Sequence, residues 1–135
     1  MIEIALYSER PIPAQAVRQL YDAVDWWPDR AIEQIEAVLE QDVAVGAWDG
    51  ERLVGFARAL SDGHFHAYVE DVMVHPDYRR RGIADRMLQR LLEALAHIDT
   101  ISLFCKNDLI PLYERRGFVA FEKQKVLHCH FHSGA

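Results

Sequence analysis

The spacing of apolar side chains changes period several times along the chain, and each change predicts a different secondary structure. Residues 2–7 alternate between apolar and polar side chains, a period of two that predicts a β-strand. The stretches 14–24 and 31–41 instead place apolar residues three and four positions apart, which predicts helices. The chain therefore begins with a strand followed by two amphipathic helices.

Strands dominate the next part of the chain. Residues 43–60 contain two β-rich runs separated by Asp49, Gly50 and Glu51. Asp-Gly between such runs is a strong hairpin signal, because glycine accepts the positive φ that the turn demands. Residues 66–74 add a third strand to this group.

Helices and strands alternate again in the C-terminal half. Residues 81–98 predict a long amphipathic helix, 100–106 a strand, 108–118 a short helix, and 118–131 further strand-like segments. A strand–helix–strand unit needs a parallel strand pair, whereas hairpins are antiparallel. We therefore predict a single α+β domain over residues 1–135, with a mixed central sheet flanked by about four helices.

Charge and cysteine content limit the classes of protein to which this chain could belong. The formal net charge of −6 argues against nucleic acid as a partner, because phosphate binding normally needs a broad basic face. No apolar run reaches the length of a membrane span, and the first residues lack the pattern of a signal peptide. We therefore expect a cytoplasmic protein with no membrane partner. Cys105 and Cys129 have no metal-like spacing and are expected to be free, buried thiols.

Against this acidic background, the three arginines Arg79–Arg81 stand directly before Gly82 and a predicted helix. The first turn of a helix carries amides without intrahelical partners and about half a positive charge. Gly82 would let a ligand approach the backbone closely, and Ala84 keeps the first turn slim. The pattern indicates a site for a compact, multiply charged anion such as a pyrophosphate. The glycine patterns of P-loop and dinucleotide-binding Rossmann proteins are absent from the sequence.

Residues 69–88, "VEDVMVHPDYRRRGIADRML", resemble the central motif of the GNAT superfamily of N-acetyltransferases. That motif reads Gln/Arg-x-x-Gly-x-Gly/Ala and is carried here by Arg79, Gly82 and Ala84, after a strand that ends in "VHP". Residues 111–118, "PLYERRGF", are similar to the second motif of the family, in which a tyrosine precedes Gly-Phe. The two stretches lie in the family's order and roughly at its spacing, so the resemblance covers nearly the whole chain.

The resemblance implies acetyl-CoA, or a related acyl-CoA, as co-substrate and an amine as acceptor. The pantetheine arm would pair with the backbone of Val72, Met73 and Val74, and Asn107 is the nearest counterpart of an asparagine that touches this arm in the family. The pyrophosphate would lie over the amides of the arginine run and the first helical turn, namely Arg79, Arg80, Arg81, Gly82, Ile83, Ala84 and Asp85. Family members often form homodimers. A non-catalytic acyl-CoA sensor on the same fold is the alternative.

Acetyl transfer to an amine requires a neutral amine, donors for the oxyanion, and a proton for the departing thiolate. The resemblance implies that Tyr113 is the general acid. A backbone N–H near Val72 or Met73 would stabilise the oxyanion. These groups would support direct attack by a primary amine in a ternary complex.

Glu70 is the candidate for accepting the proton of the amine, either directly or through a water. On a regular strand, Glu70 would share a face with Val72 and Val74, and would lie near the acceptor entrance. Asp71 would point to the opposite face and is the weaker candidate, unless a β-bulge shifts the register.

The seven histidines do not predict a metal site. His128, His130 and His132 would share one face of a C-terminal edge strand. Neighbours on such a face are about 6.6 Å apart and Zn–N bonds about 2.1 Å long, so one zinc ion could bridge two of them but hardly three. His64 or His66 could instead line the acceptor pocket.

The acceptor is the part of the function on which the sequence is least informative. Adjacent tryptophans, Trp26 and Trp27, could form an aromatic wall for an apolar or cationic group, but we expect them to fill the core instead. The acidic charge fits a cationic acceptor such as an arylalkylamine, a polyamine or an aminoglycoside. A protein N-terminus or a lysine side chain remains open.

Overall fold

The computed structural model describes residues 1–131. The chain divides into two compact units, Met1–Leu103 and the residues from Phe104 onward. The first unit contains five strands and three helices, in the order β1 (Ile2–Leu6), α1 (Ala14–Ala23), α2 (Ile32–Gln41), β2 (Val43–Asp49), β3 (Arg52–Ser61), β4 (His66–Val74), α3 (Ile83–Ala94) and β5 (Thr100–Ser102), with a 3-10 turn at Pro76–Tyr78. The second unit contains a 3-10 turn at Asn107–Leu109 and the short helix α4 (Ile110–Glu114).

The five strands form one mixed sheet in the order β1-β2-β3-β4-β5. Neighbouring strands from β1 to β4 are antiparallel, and β4 and β5 are parallel. The β2–β3 hairpin turns at Gly50, which has a φ of +59°, as its Asp-Gly signal predicts. The predicted α+β class and mixed sheet are therefore confirmed.

The edge of β4 that faces β5 is only partly covered. β5 pairs with His66, Ala67 and Tyr68 at the start of β4, and this pairing ends at Ser102. Among residues 1–131, no strand pairs with this edge of β4 after Tyr68. The second half of β4 therefore presents a strand edge that can accept an extended ligand.

The two faces of the sheet are covered by different helices. On one face, α1 and α2 bury Val17, Leu20 and Leu39 against Phe56 and Met73 of the sheet. On the other face, α3 packs against β1, β2, β3 and β4. The buried residues of α3 recur three and four positions apart, as an amphipathic helix requires: Ile83, Met87, Leu88 and Leu91. In the described part of the chain, no helix is long and apolar enough to cross a bilayer.

Two of the predicted elements are wrong near the C-terminus. The strand predicted for residues 100–106 is only Thr100–Ser102, and residues 118–131 contain no strand. Residues 119–131 are exposed. A sequence period of two does not supply the neighbouring edge that a strand needs for its hydrogen bonds.

The predicted histidine face is therefore not formed by the residues that the structure describes. His128 and His130 are exposed outside any strand, with ring centroids 5.7 Å apart. The third predicted member, His132, lies outside the described residues. Cys105 and Cys129 are free thiols as predicted, but Cys105 is half-buried and Cys129 is exposed, so the prediction that they are buried is wrong.

The packing of α3 predicts how strongly its apolar residues stabilise the fold. Leu88 is fully buried, whereas Leu92 is only half-buried on the same helix. Leu88→Ala should lower the free energy of unfolding by about 2–5 kcal/mol, through lost burial and the cavity left behind. Urea unfolding followed by circular dichroism measures this loss, with Leu92→Ala as the control. Equal losses in the two variants would contradict the packing described above.

Candidate active site

The middle of β4 contains a β-bulge. Phe56 of β3 pairs with Met73, whereas Arg58, two residues further along β3, pairs with Glu70. Three steps along β4 thus match two steps along β3, so one residue of β4 is extra. Asp71 takes up this irregularity with a φ of +57°, in the left-handed region that side chains other than glycine rarely adopt.

The bulge reverses the alternation of faces along β4, and this corrects one prediction. Glu70 lies on the same face as Met73, toward α1 and α2, because their β3 partners are two residues apart. Val72 and Val74, on either side of Met73, lie on the opposite face. The prediction that Glu70 shares a face with these two valines is wrong, since it assumed a regular strand.

Asp71 also points toward α1, as the bulge alternative allowed, and its side chain is only 2% exposed. One carboxylate oxygen, Oδ2, accepts three hydrogen bonds. The Tyr21 hydroxyl donates at 2.7 Å, Arg30 Nη1 at 2.8 Å and Arg58 Nε at 2.8 Å. Arg30 Nη1 also donates to the Tyr21 hydroxyl oxygen at 2.7 Å. These bonds join α1, the loop before α2, and β3 to one point of β4.

Arg58 occupies the centre of this network, with a side chain that is 7% exposed. Besides its bond to Asp71, it donates from Nη1 to Asp42 at 2.6 Å and from Nη2 to Glu70 at 2.7 Å. We refer to these residues together as the Arg58 cluster: Tyr21, Arg30, Asp42, Arg58, Glu70 and Asp71. Each of the three nitrogens of the guanidinium therefore contacts a different carboxylate.

Sequence reasoning missed Arg30, Asp42 and Arg58 as members of the site. One signal was present in the sequence, because Arg58 is the only charged residue within the otherwise uncharged stretch 53–60. A charged side chain within a strand that is buried on both faces needs a partner of opposite charge.

The Arg58 cluster shifts the pKa values of its members in different directions. Burial raises the pKa of Glu70, the neighbouring Asp71 raises it further, and Arg58 and Arg30 act in the opposite direction. Burial alone would also raise the pKa of Asp71, but hydrogen bonds from Arg58 and Tyr21 outweigh it and lower that pKa. Burial, followed by the nearby Asp71, raises the pKa of Tyr21 to about 12. At neutral pH, Asp71 therefore remains ionised, while Glu70 is the more basic carboxylate.

The predicted anion site lies in the segment between β4 and α3. The Tyr78 hydroxyl donates to Asp49 at 2.5 Å, which attaches this segment to the β2–β3 hairpin. Arg79 Nε donates to the carbonyl oxygen of Val74 at 3.2 Å. Arg80 has a φ of +65°, and Arg79, Arg80 and Arg81 are all exposed. Three exposed cationic side chains therefore lie in the segment directly before α3.

Gly82 is the N-cap of α3 and has a φ of +74°. Its carbonyl oxygen accepts the N–H of Arg86 at 3.1 Å, which starts the helix. A Cβ atom placed at Gly82 would meet no atom within 4 Å, so the space before the first turn is open. Ile83, Ala84 and Asp85 form that turn, in which an α-helix has no intrahelical acceptors for its amides. Open space, a helix N-terminus and nearby arginines together suit a pyrophosphate.

In the second unit, Tyr113 lies in α4 and is 6% exposed. Burial, followed by the nearby Cys105, raises the pKa of its hydroxyl to about 12. The Tyr113 carbonyl accepts the N–H of Phe118 at 3.2 Å, and the two rings meet edge-on with centroids 6.0 Å apart. Asn107 is exposed at the start of the 3-10 turn. The roles predicted for Tyr113 and Asn107 stay predictions.

The tandem tryptophans do not fill the core, so that prediction is wrong. Trp26 is 42% exposed and Trp27 49% exposed. The loop instead packs against arginines. Arg30 lies over the Trp27 ring at 4.3 Å, and Arg18 Nη1 donates to the carbonyl oxygens of Trp27 at 2.9 Å and Arg30 at 2.7 Å. The alternative of an exposed aromatic wall therefore remains.

His66 lines an open depression of about 440 Å³ beside the β3–β4 turn. The other lining residues are Leu60, Ser61, Asp62, Ala67 and Tyr68. Asp62 accepts the backbone N–H groups of His64, Phe65 and His66, and these bonds lower its pKa to about 2. Tyr68 is two residues from Glu70, so this depression adjoins the Arg58 cluster on the same strand.

Comparison with known proteins gives the class of protein. The model of the acetyltransferase (GNAT) family matches residues 6–118. The chain therefore belongs to the GNAT family of acetyltransferases, which confirms the resemblance of the two motifs.

Individual proteins agree with this assignment. An uncharacterized N-acetyltransferase, ycf52, from Pyropia yezoensis is 32% identical over 124 residues, covering 87% of this chain and 71% of that protein. A GNAT family acetyltransferase from Streptococcus pneumoniae superposes with a TM-score of 0.81 at 25% identity, covering 96% of this chain and 98% of that one. A predicted acetyltransferase from Clostridium acetobutylicum, solved with acetyl-CoA, shares the fold with a TM-score of 0.67 at 19% identity, covering 95% and 96%.

The lowered pKa of Asp71 predicts a pH-dependent contribution to stability. A carboxylate whose pKa is lower in the folded state stabilises the fold above its ordinary pKa, near 4, and this contribution disappears as the pH falls through the folded value. Asp71→Asn should lower the free energy of unfolding by about 3–5 kcal/mol at neutral pH. Its deficit relative to the wild type should shrink in acid.

Urea unfolding at a series of pH values measures this dependence. Asp22→Asn is the control, since Asp22 is an exposed carboxylate that pairs with Arg18 on the same helix. A deficit for Asp71→Asn that stays constant from neutral pH to acid would contradict the assignment.

Proposed function

We propose that this protein transfers an acetyl group from acetyl-CoA to a primary amine of a small molecule or a protein. The observation that carries the proposal is the continuity of β4 with the anion site. Within residues 1–131 no strand pairs with this edge of β4 after Tyr68, and the arginine segment and the N-terminus of α3 follow directly at the C-terminal end of β4. One extended, phosphorylated molecule could contact both features.

The residues fit acetyl-CoA in two places. The backbone of Val72, Met73 and Val74 offers the edge along which a pantetheine arm could pair as an additional strand. The open space before Gly82, with the arginines beside it, suits the pyrophosphate. The co-substrate supplies a thioester carbonyl, which is the group attacked by the amine.

In this mechanism the neutral amine nitrogen bonds to the carbonyl carbon, and the carbonyl oxygen becomes an oxyanion. A backbone N–H next to the bulge, that of Val72 or Met73, would donate to this oxyanion. Glu70 would accept a proton from the amine, directly or through a water, and its raised pKa makes it a better acceptor. When the C–S bond breaks, Tyr113 would give its hydroxyl proton to the sulfur.

For the acceptor we propose a cationic amine that approaches from the α1–α2 side, because Glu70 faces that side. The exposed ring of Trp27 and the depression beside His66 lie in this first unit and could contact the rest of the acceptor. An arylalkylamine, a polyamine or an aminoglycoside has the required charge, and a lysine side chain or protein N-terminus is the macromolecular alternative. Location in the cytoplasm stays a prediction.

A non-catalytic acyl-CoA sensor is the second candidate, and one observation favours it. Glu70 already accepts a hydrogen bond from Arg58 at 2.7 Å and lies 4.0 Å from Arg30. Arg58 and Arg30 therefore each face one of the two carboxylate oxygens that would have to accept the proton of the amine. The sensor would bind acetyl-CoA without turning it over.

Binding of acetyl-CoA should depend on Gly82. Gly82→Val forces a β-branched residue into a positive φ and fills the open space, so we expect at least about tenfold weaker binding, or about 1.4 kcal/mol. Isothermal titration calorimetry measures the affinity. Gly63→Val is the matched control, because Gly63 also has a positive φ (+84°) with open space around it, in the β3–β4 turn. Absence of acetyl-CoA binding to the folded wild type would overturn the proposed function.

Turnover should depend on Tyr113 and Glu70. With a panel of tyramine, spermidine, kanamycin and a lysine peptide, Tyr113→Phe should lower kcat about 100-fold without weakening acetyl-CoA binding.

In the wild type, activity should fall as the pH drops through the raised pKa of Glu70, and Glu70→Gln should remove this decrease in activity at acidic pH. Thiol release from acetyl-CoA gives both rates. Binding without turnover of any amine in the panel would favour the sensor instead.

A further inference from the structure

The bulge in β4 has an unusual backbone conformation at a critical place. Asp71 has a φ of +57°, in the left-handed region that is unfavourable for a residue with a Cβ atom. Such strain persists only where the surrounding structure fixes it. The bulge lies after the last residue of β4 that pairs with β5, Tyr68, and directly before the segment 72–74.

Three donors from three different elements fix the side chain of Asp71. They come from Tyr21 in α1, Arg30 in the loop before α2, and Arg58 in β3, all at 2.7–2.8 Å. Only 2% of the Asp71 side chain is exposed, so water has little access to replace a missing donor. The conformation of the bulge is therefore determined by contacts that are distant in the sequence.

Arg58 contacts both residues at the start of the bulge. Its Nε donates to Asp71 and its Nη2 to Glu70, while its Nη1 donates to Asp42 at the end of α2. Because a guanidinium is planar and rigid, these bonds fix the spacing between the carboxylates of two consecutive residues. The peptide bond between Glu70 and Asp71 is thereby held in one orientation. A lysine in place of Arg58 would keep the positive charge, but it has no planar guanidinium with which to hold both carboxylates at a fixed spacing.

We propose that Arg58 and Tyr21 are positioning residues for acetyl transfer. They hold Asp71 in its left-handed conformation and so orient the backbone amides that follow it, at Val72 and Met73. This inference rests on the proposed function, in which one of these amides donates to the oxyanion. A shift of about 1 Å in such a donor can cost about 100-fold in rate. The pyrophosphate contacts at Gly82 lie outside this network, so acetyl-CoA binding, which also uses the backbone of residues 72–74, should be affected much less than kcat.

The kinetic test compares Arg58→Lys and Tyr21→Phe with the wild type, using the panel amine that the wild type acetylates fastest. Arg58→Lys should lower kcat about 100-fold and Tyr21→Phe about tenfold, with the KM for acetyl-CoA changed less than about twofold. Tyr7→Phe is the matched control and should keep wild-type kcat. Tyr7 packs against the α1–α2 core from the end of β1 and belongs to neither the bulge nor the anion site.

A second readout does not depend on turnover. In isotope-labelled protein, the HN–Hα coupling and carbon chemical shifts of Asp71 report its φ by NMR. The wild type and Tyr7→Phe should show the left-handed signature, and Arg58→Lys and Tyr21→Phe should weaken or lose it. If Arg58→Lys does not fold, Tyr21→Phe, which removes one hydroxyl, decides the outcome.

The two proposals fail in distinguishable ways. If no panel amine is acetylated by the wild type, the proposed function fails, while the NMR signature still shows whether Arg58 and Tyr21 hold the bulge. The positioning role is overturned if Asp71 keeps its left-handed signature in Tyr21→Phe and folded Arg58→Lys. It is also overturned if kcat in these variants falls no further than in Tyr7→Phe. For Arg58→Lys, that result would mean that the positive charge alone is sufficient.

Discussion

The guanidinium of Arg58, buried among three carboxylates, is the interaction on which the rest of this site depends. Removing such a charge from water costs several kcal/mol, and this cost is tolerable only where the donors find acceptors. Here Asp42, Glu70 and Asp71 each take one nitrogen of Arg58. The consequence is geometric as well as energetic, because α2, β3 and β4 must meet at this point for the charge to be satisfied. Through Tyr21, the same network includes α1.

The bulge that this network surrounds divides β4 into two parts whose side chains alternate differently. Before the bulge, Glu70 faces the helices α1 and α2, where an acceptor could approach. After it, the alternation of side chains is reversed, and an open backbone edge leads toward Gly82. A regular strand would have put Glu70 on the face of Val72 and Val74. The extra residue therefore places the predicted base, Glu70, on the opposite face of the sheet from Val72 and Val74.

Positive charge is concentrated in one short segment of a protein that is acidic as a whole. The arginine segment directly precedes the N-terminus of α3, where amides and the helix dipole already favour an anion. A single pyrophosphate requires only this one small region of positive potential. The formal net charge of −6 for the whole chain is compatible with that site and with a cationic acceptor.

The sequence by itself determined the helices α1, α2 and α3 and the first four strands. At least one face of each of these elements is buried, and the apolar residues on a buried face repeat with a regular period in the sequence. It also determined the family, because the pattern of Arg79, Gly82 and Ala84 follows "VHP" at a helix start and "PLYERRGF" lies downstream at residues 111–118. Only the tertiary structure decided the bulge at Asp71, the partners of Arg58, the exposure of Trp26 and Trp27, and the absence of a strand among residues 118–131. The physical reason is distance along the chain. Asp71 is held by Tyr21, 50 residues away, and by Arg58, 13 residues away, and no local period records such contacts.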